Sequence, residues 1–170
     1  ALYGVMPDLF AFGKIVGGGM PLAAYAGRRE IMECVAPVGK VYQAGTLSGN
    51  PVATAAGLKT LEILRKHGGE IYPALEEKGA LLKKAYREAG VPVNRVGSLL
   101  TPFFSKKAPA CYADVQKCDL PAFAKYFSRM LQAGVYVAPS QFEAMFVSAA
   151  HTREHIYKTC AAVRRACEGL

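Results

Sequence analysis

"GKIVGGGMP", residues 13–21, sets one lysine in an otherwise uncharged stretch and follows it with Gly17, Gly18 and Gly19. A turn needs one glycine, and three in succession lose extra backbone entropy on folding. The run points to something that approaches the backbone closely, within reach of the Lys14 side chain. A lysine amine attacks a carbonyl once it has lost its proton. Apolar neighbours such as those in "FAFGKIVGGGM" disfavour the charged form by desolvation. The glycines leave room for a flat ring. A surface lysine in a turn is the rival reading of these residues taken alone. A nucleotide P-loop is excluded by order, because Ile15 follows Lys14 where that motif needs serine or threonine.

The chain has 170 residues, 52% hydrophobic and 20% charged, an ordinary globular balance that excludes disorder. No apolar run reaches the roughly 18 to 20 residues of a membrane span. The first residues, "ALYGVMPDLF", carry no basic stretch ahead of an apolar core, so no signal peptide and no membrane partner are expected. They also start in mid-pattern, and the sequence reads as a fragment. Lysine and arginine number 21 against 13 acidic residues, a net charge of +8. The basic residues are dispersed and mixed with acids along apparent helix faces, so nucleic acid is not an expected partner. Five cysteines, Cys34, Cys111, Cys118, Cys160 and Cys167, form no C-x-x-C pair. Their odd count suggests neither a disulfide framework nor a zinc site, and a reducing, cytoplasmic compartment fits best. Cys160 and Cys167 share one helix face, which reads as packing.

Around the lysine loop, "DLFAF" and "PLAAYAG" read as buried strands and "RREIMECV" as a short helix. Ser48 or Asn50 caps a helix opened by Pro51, with Ala55, Leu58, Leu61 and Leu64 at helical spacing and an end at Gly68. "EIYPALEEKGALLKKAYREAG" reads as a second amphipathic helix, with Leu75, Leu81, Leu82 and Ala85 apolar and a stop at Gly90. Beyond it, "VPVNRVGSLLTPFFS", "VYVAP" and "MFVSAA" suggest strands, interleaved with a helix ending at Gly134 and a last, surface helix capped by Thr152. These expectations divide the chain at 1–68, a connecting helix at 69–90, and an α+β unit at 91–170.

The second informative stretch is "YQAGTLSGNP", residues 42–51. Thr46 and Ser48 offer hydroxyls, Gly45 and Gly49 expose backbone N–H groups, and a long helix starts at once. Such a helix start favours an anion, phosphate included. Simple N-capping explains Ser48 and Asn50 but leaves Gly45 and Thr46 over.

Together, "PDLFAFGKIVGGGMPLAAYAGRREIM" (7–32) and "YQAGTLSGNPVATAAGLKTLE" (42–62) resemble the class-III, pyridoxal-phosphate-dependent aminotransferases. "APSQFEAMFVSAAHT" (138–152) resembles the branch that moves an amino group within one molecule, the aminomutases. The likeness covers essentially the whole chain. It implies an α/β, fold-type-I transferase: part of the large cofactor-binding domain followed by the small α+β C-terminal domain. It implies pyridoxal 5'-phosphate as cofactor, with the pyridoxamine form in the cycle, and a small amino-aldehyde substrate. Lys14 falls on the lysine that bonds the cofactor and shuttles protons. Gly45 and Thr46 fall on the phosphate loop, which in this family serves the neighbouring subunit of a homodimer. Glu143 falls on a glutamate near the active-site entrance, although a solvated loop carboxylate explains it as well. The family's partner for the pyridine nitrogen and its substrate-carboxylate residues precede this sequence, and Asp8 is not among them. His151 and His155 have the i, i+4 spacing of metal ligands, but the resemblance implies no metal. An ω-aminotransferase is the nearest alternative. Those enzymes usually carry Arg-x-x-Pro-Pro-Leu for a substrate carboxylate where this chain reads "APSQFEAMFVSAAHT". A remnant that only dimerises is the non-enzymatic alternative.

Overall fold

In the computed structural model, residues 3–170 are described, and the chain divides into two units, residues 1–68 and 69–170. In the first unit, β1 (Leu9–Phe12) and β2 (Ala24–Gly27) pair antiparallel, with Leu9 opposite Gly27 and Phe12 opposite Ala24. A 3-10 turn (Lys14–Gly17) joins them, and α1 (Arg29–Met32) follows. Arg28 closes the strand ends, its guanidinium 2.7 Å from Asp8 and 3.2 Å from Glu30. The expected strands are present, but they are not buried. Leu9 is 52% and Phe12 53% exposed, because no described residue covers the ribbon's apolar side chains. Of the buried apolar residues among those described, only Ala53 lies in this unit.

Asn50 opens α2 (Pro51–Glu88), its Oδ1 accepting from the backbone N–H of Val52 and Ala53, both at 3.1 Å. The sequence reading of two helices broken at Gly68 is corrected: α2 runs unbroken for 38 residues through Gly68, Gly69 and Pro73. Glycine costs a helix about 1 kcal/mol and proline about 3, and the burial of Leu82, Ala85 and Tyr86 further along offsets this. Nor is the first half's apolar stripe its buried face. Leu58 is 59% and Leu61 52% exposed, whereas Ala53 and Gly57 are buried. Gly90, at φ +78°, ends the helix as expected. Its N–H bonds the Arg87 carbonyl at 3.0 Å, and the Val91 N–H bonds the Tyr86 carbonyl at 2.9 Å, the paired pattern of a glycine-terminated helix.

The second unit is a three-stranded antiparallel sheet with helices. β3 (Val93–Val96) pairs with β4 (Leu99–Pro102), and β4 pairs with β5 (Met145–Phe146). The short α3 (Tyr112–Val115) precedes α4 (Leu120–Gln132), capped by Asp119 at 2.9 Å from the Ala122 N–H. The last helix, α5 (Arg153–Cys167), starts with a reciprocal cap. Thr152 Oγ1 accepts from the His155 N–H, and His155 Nδ1 accepts from the Thr152 N–H, each at 3.2 Å. Tyr86, Leu100, Tyr126, Met130, Ile156 and Val163 form the centre of the core. Ion pairs tie α5 to α2: Arg153 to Glu77, and Arg164 to Glu88 at 2.8 Å. Two expectations fail here. Val135–Pro139 forms no strand, and α5 is no surface element, since Ile156, Cys160, Val163 and Cys167 are all buried.

Candidate active site

Lys14 is reached from β1 through Gly13 and begins the 3-10 turn with φ at +53°. It is the only non-glycine residue at positive φ among those described. Such a conformation costs roughly 1–3 kcal/mol and persists only where the surroundings impose it. The lysine is exposed, and Nζ has no hydrogen-bond or ion-pair partner among the described residues. Desolvation by an apolar pocket, expected from the sequence, is therefore not provided here. Lys14 instead lines an open cleft with Ile15, Gly19, Met20 and Pro21.

Gly45 and Thr46 open the turn that leads into α2, with Ser48 N–H bonded to the Gly45 carbonyl at 2.9 Å. A Cβ at Gly45 would stand 2.9 Å from Ser48 Oγ, a side-chain end free to rotate away. Among the described residues, the N–H groups of Gly45, Thr46 and Leu47 and the Thr46 hydroxyl have no protein acceptor. Successive unpaired N–H groups form an anion-binding concavity. Gly45 lines a groove of about 750 Å³ with Phe12, Leu22, Tyr25, Gln43 and Ser48. Neither Lys14 nor Thr46 lines it, although Pro21 borders both the groove and the lysine cleft. The two sequence motifs thus line one groove in the first unit, although Lys14 and Thr46 are not in its lining.

Glu143 lies in the second unit, exposed, its N–H on the Ser140 carbonyl at 3.2 Å and its carbonyl 3.4 Å from Thr101 Oγ1. The residue holding this loop is one the sequence did not single out. Gln141, 2% exposed, donates from Nε2 to the Pro102 carbonyl at 2.8 Å and accepts from the Phe104 N–H at 3.4 Å. A glutamine in a loop carries no sequence signal of burial. His151 and His155 each turn Nδ1 to a nearby backbone N–H, and no cluster of three metal-ligating side chains occurs among the described residues.

A family model described as aminotransferase class-III matches residues 1–166. This chain belongs to the class-III aminotransferases. Among curated relatives, it is 53% identical over 164 residues to the glutamate-1-semialdehyde 2,1-aminomutase of Persephonella marina, covering 93% of this chain and 38% of that one. It is 52% identical over 171 residues to the same-named protein of Thermus thermophilus, covering 97% and 40%. The chain spans about two-fifths of the length of these relatives. Among solved structures, a β-phenylalanine aminotransferase from Variovorax paradoxus superposes with a TM-score of 0.84 at 26% identity, over 95% of this chain and 38% of the other. A transaminase described with PLP bound gives 0.76 at 26%, over 98% and 39%. The class-III aminotransferase fold is therefore the fold of this chain, an α/β transferase with a separate α+β unit.

Proposed function

We propose that this chain is the lysine-bearing part of a pyridoxal-phosphate enzyme that converts glutamate 1-semialdehyde to 5-aminolevulinate, a step of tetrapyrrole synthesis. The observation that carries the reading is the level of identity. Relatives named as this aminomutase stand at 52–53% over nearly the whole chain, twice the 26% of the solved transaminases. Residues 138–152, which contain no arginine, agree with it.

The residues present fit the cofactor. Lys14 offers an accessible, unpaired amine, and the Gly45–Ser48 turn offers free N–H groups and the Thr46 hydroxyl to a phosphate. When bound, pyridoxal phosphate supplies a carbonyl for attachment and an electron sink for a substrate carbanion. The Lys14 amine would anchor it and, once free, would serve as base when a proton leaves one substrate carbon and as acid when a proton is delivered to the other, in two separate transfers. Gly45 and Thr46 hold the phosphate, and Glu143 contributes a carboxylate on the substrate side. The class-III resemblance extends the proposal to a homodimer in which the turn of one copy serves the lysine of another. Five free thiols suit a cytoplasmic setting, and no helix among the described residues is long and apolar enough to cross a membrane.

An aminomutase needs no second amino acceptor or donor. The test supplies the full-length protein with pyridoxamine 5'-phosphate and glutamate 1-semialdehyde and measures 5-aminolevulinate. Formation without any added 2-oxo acid supports the reading. Strict dependence on a 2-oxo acid replaces it with an ω-aminotransferase.

A further inference from the structure

We infer that Gly57 of α2, acting through Leu22, seats the glycine loop and sets the Lys14 backbone, which makes Gly57 a positioning residue for the lysine's chemistry. The inference rests on the reading of Lys14 proposed above. A lysine at φ +53° needs something to hold it there. The loop is wound tightly from Gly13 to Met20. Val16 N–H reaches the Gly13 carbonyl at 3.4 Å, Gly18 N–H the Ile15 carbonyl at 3.0 Å, and Met20 N–H the Gly17 carbonyl at 3.0 Å.

The underside of this loop rests on α2 with no space to spare. A Cβ added at Gly57 would overlap Leu22 Cδ2, a side-chain end that can turn aside, and stand 3.0 Å from the Val16 carbonyl oxygen, a backbone atom that has to give. A Cβ at Gly17 would stand 3.1 Å from Leu22 Cβ, so Leu22 is wedged between the two glycines. One turn further along α2, Thr60 Oγ1 donates to the Ala56 carbonyl at 2.9 Å, which fixes its rotamer. That hydroxyl fills the space a Cβ at Gly18 would need, and Gly18 has φ +59°. Gly17 and Gly57 are both buried, although Ile15 and Leu58 beside them are exposed.

Glycine is the least favourable residue in a helix after proline. Its presence in mid-helix at position 57 is accounted for by this close approach. Val16 lies two residues from Lys14 within the same 3-10 turn. A shift of Val16 thus has a short path to the lysine backbone.

The test uses the full-length protein reconstituted with pyridoxal 5'-phosphate, as wild type, Gly57→Ala and Leu22→Ala/Gly57→Ala. Two quantities are read: the rate at which borohydride fixes the cofactor to Lys14, located by peptide mass, and the pH at which the visible absorption band changes. Helix content is followed as a folding control. Displacements of about 1 Å cost reactions on the order of 10²-fold. Gly57→Ala is expected to slow fixation by at least about tenfold and to move the pH transition, with helix content retained. Removing the Leu22 side chain relieves the overlap with Leu22 Cδ2 but not the 3.0 Å approach to the Val16 carbonyl oxygen, so the double variant is expected to recover both readouts in part. A Gly57→Ala protein that matches wild type in both readouts overturns the inference, and so does a folded double variant that shows no recovery. Should Gly57→Ala alone not fold, partial recovery of both in the double variant supports the inference. Wild-type protein fixed at a lysine other than Lys14 brings down the proposed function itself, a result distinct from either.

Discussion

Lys14 and Thr46 carry the two predictions that separate this chain's chemistry from its packing. Lys14 is exposed and bonded to no described side chain, so Lys14→Ala removes little from the fold. On the proposed reading it removes both the covalent anchor and the proton carrier, and turnover of the full-length protein should fall by several orders of magnitude. Borohydride reduction of the loaded wild type checks the assignment; a label on Lys40 in place of Lys14 would sink it. Thr46 is also exposed, with its hydroxyl free among the described residues. A hydroxyl donating to a phosphate dianion contributes roughly 1.5–3 kcal/mol, so Thr46→Val should weaken cofactor retention about 10- to 150-fold. Equilibrium dialysis gives the constant directly, and an unchanged value excludes the hydroxyl from the site. Both residues stand out as candidates in the sequence because their surroundings, glycine before a lysine and Gly-Thr before a helix, are unusual for structure alone. The strain at Lys14 was not legible. Positive φ at a non-glycine residue arises from what the loop rests on, and that partner, Gly57, lies on a different element.

At the scale of elements, the α2–α4 contact is the most demanding. Tyr86 on α2 and Tyr126 on α4 are both fully buried, and their hydroxyls hydrogen-bond each other. Burial pushes both phenols above the ordinary tyrosine range, and for Tyr86 the neighbouring Tyr126 adds to it. Burial also pushes the Cys167 thiol up to about 11. Each group is held protonated in the folded state more firmly than in the unfolded one. Their stabilisation is therefore complete below the unfolded values, near 8.5 for cysteine and 10 for tyrosine, and is lost as pH rises through the folded ones. The urea midpoint of the second unit should be level from about pH 7 to 8 and fall from about pH 9 upward. Tyr126→Phe strands the Tyr86 hydroxyl in the core and should cost about 1–3 kcal/mol. Tyr86→Phe/Tyr126→Phe leaves no orphan, and should cost less and flatten the alkaline fall. A double variant less stable than Tyr126→Phe alone would mean the pair does not interact as described. None of this pairing is visible in the sequence, where the tyrosines stand 40 residues apart. What the sequence did show was local: the Gly90 stop, the Thr152 cap and the β3–β4 strands depend on neighbours a few residues away. The single long α2 escaped it because Gly68, Gly69 and Pro73 are local breakers overruled by distant burial. Val135–Pro139 escaped it too, since an apolar run becomes a strand only with a partner edge.

On the scale of the whole molecule, the two units differ in how they are held. The second has a continuous core from Leu82 to Cys167, whereas the first, among the described residues, buries Ala53 as its only apolar side chain. Leu9, Phe10, Phe12 and Tyr25 on the strands, and Leu58, Leu61 and Ile63 on α2, are all exposed. A two-stranded ribbon without a covered face is marginal in water, and unpaired apolar strand edges invite association. The relatives are about two and a half times as long as this chain, since it covers 38–40% of them. Cover for these side chains is thus expected from the rest of such a protein or from a second copy. The lining of the Gly45 groove and of the Lys14 cleft contains no aspartate or glutamate among the described residues. A carboxylate to balance a protonated ring nitrogen, needed for a strong electron sink, is therefore not furnished by either surface. The expected outcome for residues 1–170 expressed by themselves follows from both points. Amides of β1 and β2 should exchange with deuterium nearly as fast as an unfolded chain while those of α4 and α5 stay protected. The sample should self-associate, and 5-aminolevulinate should not form when cofactor and substrate are added. Exchange mass spectrometry, light scattering and a product assay read the three. A monomer with protected β1–β2 amides would show that the ribbon is stable without cover. Turnover comparable to that of a full-length relative would show that the described residues complete the active site.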